Sequence, residues 1–148
     1  MRKHFDKALY DRYDAAAKTA ARTLLQHTNF VLKDSEKKTD VDFEIYKDDK
    51  LIGFLEVEVK RNWAVGPFIY NDVQWPERKW KYCNLTKPTV FLMFNADLSQ
   101  YLTATGEDLL SSKIEMIRNK YVAYGESFFK VPVSKVIFNN ILQSVDFL

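Results

Sequence analysis

Cysteine is almost missing from this chain. Cys83 is the single one among 148 residues, which excludes an intramolecular disulfide and any cysteine-rich zinc site. Its surroundings offer no base to activate a thiolate, so packing against the core is its expected role. Histidine is as scarce: His4 and His27 lie far apart, without metal-ligand spacing, and read as surface residues. Four glycines and four prolines leave no material for long flexible linkers, and no glycine-rich phosphate loop is present. No apolar run approaches the roughly 20 residues that span a bilayer. The start, Met-Arg-Lys-His-Phe-Asp-Lys, lacks the apolar centre of a signal peptide. A soluble, cytoplasmic protein without a membrane partner is therefore expected. Net charge is also small, at +2, too little to argue for a polyanionic partner by itself.

What the chain does have is a substantial apolar fraction, 47%, and 15% aromatics, enough for one folded domain spanning residues 1–148. Charge is unevenly placed. Between residues 60 and 87, Lys60, Arg61, Arg78, Lys79, Lys81 and Lys87 face only Asp72 and Glu77. Such a local excess suits phosphate contacts, although a solvated surface looks the same in sequence. Trp63, Trp75, Trp80 and Tyr82 interleave with these cations and are able to stack on bases, but core packing is the commoner use of such rings.

Helical spacing of Leu9, Tyr13, Ala16, Ala17, Ala20 and Leu24 predicts a helix over residues 5–27, its small alanines permitting close approach to a sheet. A short edge strand can start at Phe30. Residues 62–74 read as irregular, broken by Gly66-Pro67, and Pro76 opens a short basic helix. The apolar run 88–94 predicts a buried central strand. Further strands are expected at 100–105, 114–118 and 128–131, with a short helix at 107–112. Pro132 is expected to open a last helix carrying Val133, Val136, Ile137 and Ile141. Together these give an α/β fold with a central mixed sheet flanked by helices.

The richest stretch is residues 40–60. Val41, Phe43 and Ile45 alternate with Asp42, Glu44 and Tyr46; after the turn Lys47-Asp48-Asp49-Lys50, Leu55, Val57 and Val59 alternate with Glu56, Glu58 and Lys60. A hairpin is predicted, and cross-strand neighbours in it sit about 5 Å apart. Asp42 and Glu44 thus approach Glu56 and Glu58. An ordinary hairpin pairs opposite charges there. Clustered carboxylates with a lysine on the same face suit a hard divalent cation, Mg²⁺ or Mn²⁺, with Asp42, Glu58 and the carbonyl of Val59 as oxygen donors. Lys60, two residues from Glu58, is positioned to help an attacking water or the charge on phosphorus.

Asp42 followed by Glu58-Val59-Lys60 resembles the motif of the PD-(D/E)xK nuclease superfamily, and the order helix, hairpin, basic helix, strand is similar to its common core. Residues 14–30 are similar to the first helix of archaeal Holliday-junction resolvases. The resemblance covers about the first 80 residues. It implies a restriction-endonuclease-like core and a Mg²⁺- or Mn²⁺-dependent DNA endonuclease; the shortness of the chain adds the expectation of a homodimer to engage both strands. Asp42, Glu58 and Lys60 would be catalytic, with Arg61, Arg78 and Lys79 holding phosphates. Three departures stand out: Val41 replaces the motif's proline, Lys18 stands where the resolvase helix carries a glutamate, and Glu56 adds an acid. Asp14, one turn before Lys18, and Glu44 are further acidic candidates. Glu56-Val57-Glu58 also matches a Glu-x-Glu variant in which Lys60 is a bystander. The alternative from another class is a non-catalytic nucleic-acid-binding or assembly module on the same fold.

Overall fold

The computed structural model describes residues 7–35, 41–119 and 122–140. In chain order it contains α1 (Lys7–Leu25), β1 (Phe30–Asp34), β2 (Phe43–Lys47), β3 (Lys50–Val59), β4 (Asp72–Pro76), β5 (Thr89–Phe94), β6 (Gln100–Thr105), α2 (Gly106–Leu110), β7 (Lys113–Asn119), β8 (Val122–Pro132) and β9 (Ile137–Asn140). Two 3-10 segments, Glu77–Tyr82 and Val133–Lys135, follow β4 and β8.

The predicted hairpin is β2–β3. Its two-residue turn has both Asp48 and Asp49 at positive φ, 51° and 62°, the conformation that matches the twist of the flanking strands. Phe43 and Ile45 from β2, with Leu55 and Val57 from β3, are buried against Ala17, Ala21 and Leu25 of α1. The fully buried spine of the helix is thus 17, 21 and 25, an i, i+4 ridge whose two alanines let α1 lie close. Gly53 serves a similar end within the sheet. A Cβ there would meet the Pro88 carbonyl at 2.9 Å, where the Phe54 N–H donates to that same oxygen.

β5 pairs in parallel with β3 and antiparallel with β6, giving a six-stranded mixed sheet in the order β1-β2-β3-β5-β6-β9. The run 88–94 is the central strand that its apolar continuity predicts. Parallel pairing of β3 and β5 requires a crossover, and this one carries β4 and the first 3-10 segment. β4, β8 and β7 form a second, antiparallel sheet of three strands. It covers the face of the large sheet opposite α1 and buries Val73, Trp75, Phe129 and Val131 against Phe91, Met93, Leu102 and Ala104. The architecture is mixed α/β with few helices. Among the described residues no helix is long and apolar enough to cross a membrane.

Two expectations for secondary structure are corrected. Residues 72–76 form β4, because Val73 and Trp75 alternate into the core over a span too short to stand out beside Gly66-Pro67. After Pro132 only one 3-10 turn forms, and residues 137–140 then become β9 beside β6. The β-branched Val133, Val136 and Ile137 favour an extended chain over helix, and Ile141 lies outside the described residues. The short helix at 106–110 forms as expected, with Thr105 and Asp108 closing a capping box.

Candidate functional site

The ladder between β2 and β3 ends at the pair Phe43 and Leu55, while β3 runs on beside β5, so its next backbone groups on the β2 side have no strand opposite them. Side chains replace them. The Val57 N–H donates to Asp42 Oδ2 at 2.8 Å, and the Asp42 N–H donates to Glu56 Oε1 at 2.8 Å. Asp42 and Glu56 thereby take over the reciprocal bonding that another strand pair would have made. The second oxygen of Glu56 accepts from Lys79 Nζ at 2.7 Å. Both side chains of that ion pair are nearly enclosed, 5% exposed for Glu56 and 17% for Lys79. From the other direction, Lys18 of α1 stands 3.6 Å from Asp42 Oδ1 and 3.2 Å from Asp14.

Glu58 is two residues further along the same face and is half-buried. It makes no hydrogen bond or ion pair among the described residues. Lys79, Arg78, Asp42 and Lys60 act on it through charge alone. Phe54, Glu56 and Glu58 face the second sheet, whereas Leu55, Val57 and Val59 face α1.

Burial dominates the electrostatics. It raises the pKa of Asp42, against the Val57 N–H and the charges of Lys18 and Lys79. Burial also pushes Glu56 up to about 7, a change that Lys79 opposes and the Asp42 carboxylate reinforces. Glu58 is raised for the same reason, and the nearby cations do not cancel it. Burial works against the charge of Lys79, but Glu56 outweighs it and the pKa is raised. Lys18 follows the same pattern, with Asp14 and Asp42 prevailing over burial. Lys60 goes the opposite way: its burial lowers the pKa more than Glu58 and Asp72 raise it.

The sequence-based candidates therefore separate. Asp42, Glu56, Glu58 and Lys79 converge, with Asp14 joined to them through Lys18. Glu44 does not: it lies opposite Phe54, one step toward the turn, near the Tyr46 hydroxyl at 3.5 Å. Lys60 sits over the Tyr70 ring at 4.7 Å and reaches Glu58 only through charge. Val59 ends β3 opposite Phe94, with its side chain toward α1. Arg61 lies over the Tyr13 ring, and Arg78 is ion-paired with Glu126 of β8. Lys79, expected to be a surface phosphate contact, is instead enclosed against Glu56. Its backbone oxygen lies 3.8 Å from the thiol of Cys83, whose pKa burial pushes up to about 11, a packed and unreactive cysteine. Lys18 was legible only as a departure from the resolvase helix; no local sequence signal shows that it reaches Asp42.

Among the described residues, no three carboxylate, histidine or cysteine side chains gather into a metal cage. The donors nonetheless fit Mg²⁺ or Mn²⁺ of the open kind. Those ions keep several waters and are commonly held by one or two carboxylates plus substrate phosphate. Among the described residues Glu58 has no partner to give up, and Asp42 Oδ1 is met only by Lys18 at 3.6 Å. Glu56 does not fit as freely, since both its oxygens are engaged. No family model matches the chain, and no curated protein matches it.

Proposed function

We propose that this chain is a metal-dependent nuclease of the PD-(D/E)xK kind, with Lys79 in place of Lys60 as the lysine of its site. The observation that carries the reading is the gathering of Asp42, Glu56 and Glu58 at the open end of one hairpin. Their carboxyl pKa values are raised, and a lysine is fixed among them. Burying like charges together works against folding, and a cation site gives a reason for the arrangement. Asp42 and Glu58 would hold the ion. When bound, Mg²⁺ or Mn²⁺ polarises a phosphoryl oxygen and acidifies a water. Glu56 orients Lys79 and fixes the backbone of Asp42. Lys79 places a lasting positive charge where negative charge grows on phosphorus. Lys18, 3.6 Å from Asp42 Oδ1, would share that carboxylate with a bound ion. DNA is the proposed substrate, and a homodimer is one way for so short a chain to address both strands.

A second reading has an observation of its own. Asp42 and Glu56 are already satisfied by backbone N–H groups and Lys79, as in a site that holds structure and binds nucleic acid without cutting it. Incubation with linear, circular, single-stranded and branched DNA in Mn²⁺ separates the two. The nuclease reading expects cleavage that Glu58→Gln and Lys79→Met abolish, that Glu56→Gln reduces and that Lys60→Met largely spares. No cleavage of any substrate by the wild type leaves the binding module. Loss in Lys60→Met with full activity in Lys79→Met returns the catalytic lysine to the ExK position.

A further inference from the structure

The three tryptophans of this chain have very different fates. Trp63 and Trp75 are 3% and 1% exposed and pack edge-on against Phe68 and Phe91, whereas Trp80 is 54% exposed. Trp80 follows Lys79 directly in the 3-10 segment Glu77–Tyr82. With three residues per turn, successive side chains there project about 120° apart. Lys79 points to Glu56, Arg78 to Glu126 of β8, and the indole of Trp80 projects into solvent beside them. Its N–H has no acceptor among the described residues. Lys81, next in sequence, is exposed and has no carboxylate partner among them.

We propose that Trp80 is a stacking platform for an unpaired nucleobase, with Lys81 on the adjoining phosphate, so that the substrate is single-stranded or carries an unpaired segment. The inference rests on the nuclease reading for its setting and narrows the substrate class of that site. A large flat ring left in water contributes nothing to the core, while every base offers a π-face to it. Duplex DNA keeps its bases stacked on one another and presents none to a surface indole. Charge points the same way: Lys81, beside the ring, is exposed and without a carboxylate partner among the described residues.

The uneven burial supplies the test, because an added strand changes the fluorescence of the exposed indole far more than that of the two enclosed ones. The titrant is a single-stranded oligothymidylate of about ten nucleotides, within the span of one binding groove. The comparison is the same strand annealed to its complement, both in EDTA so that no cutting is involved. The single strand should quench the emission and the duplex should not. Trp80→Phe should remove the quenching while retaining most of the affinity, and Trp80→Ala should weaken single-strand binding about tenfold. Lys81→Ala should flatten the slope of log affinity against log salt by about 0.7. Equal quenching by the duplex, no quenching at all, or wild-type affinity in Trp80→Ala overturns the proposal. Quenching without cleavage in Mn²⁺ upholds the stacking site and overturns the nuclease reading. Cleavage without quenching does the reverse.

Discussion

Strand β3 has two faces built to opposite purposes. Toward α1 it presents Leu55 and Val57, which join Ala17, Ala21 and Leu92 in a dry core with no charge to accommodate. Toward the second sheet, Phe54 is followed by Glu56 and Glu58, carboxyl groups taken out of water within a few residues of each other. One face gains stability from burial in the ordinary way. The other bears the cost of removing charge from water, offset in part by Lys79 and by backbone N–H groups. A strand that only had to hold the fold would have been apolar on both faces, as its parallel partner β5 nearly is. The acidic face is where stability has been given up, and that makes it the place to look for activity.

Substitutions on the two faces of β3 should have opposite consequences. Leu55→Ala should lower the free energy of unfolding by about 2–5 kcal/mol, because a fully buried leucine leaves a cavity between sheet and helix. Glu58→Gln should leave stability unchanged or raise it by up to about 1 kcal/mol, since it removes a like charge near Asp42 and breaks no hydrogen bond among the described residues. Urea unfolding of both variants beside the wild type decides the matter. A large loss in Glu58→Gln would mean that the acidic face is structural after all.

A smaller effect follows from Glu56. Its folded pKa, about 7, lies above the ordinary 4.5, so the folded state holds this proton more tightly than the unfolded one. The resulting stability is complete below about pH 4.5 and is lost as pH rises through about 7, an amount on the order of 3 kcal/mol. Asp42 and Glu58, shifted in the same direction, add to the slope. Without divalent cations the chain should therefore be easier to unfold with urea at pH 8 than at pH 5, by roughly that amount. Glu56→Gln should flatten the profile. A profile that rises with pH instead would show that Lys79 and the backbone N–H groups, rather than burial, govern this carboxyl.

The hairpin and the amphipathic helix α1 were open to sequence reading through their periods, and the central strand 89–94 through its continuous apolar run. β4 was hidden because Val73 and Trp75 are its only two core positions and Pro76 ends it. β9 was hidden by a proline that begins a helix in most contexts and here begins one turn. Asp42, Glu56 and Glu58 were legible as a group, since alternation alone brings them to one end of the hairpin. Which lysine accompanies them was not. Lys60 is near in sequence, but the ring of Tyr70 draws it aside, whereas Lys79 arrives from a segment 23 residues beyond Glu56 through a crossover that no local pattern encodes. The different exposures of Trp63, Trp75 and Trp80 were equally out of reach, because only the tertiary packing separates them.

We propose the acidic face of β3 as a cation site, and calorimetric titration with Mn²⁺ is its direct test. At a pH above the range in which Glu56 loses its proton, the wild type should bind the ion saturably. Glu58→Gln should lose that binding while remaining folded. No binding by the wild type, or equal binding by Glu58→Gln, would contradict the account.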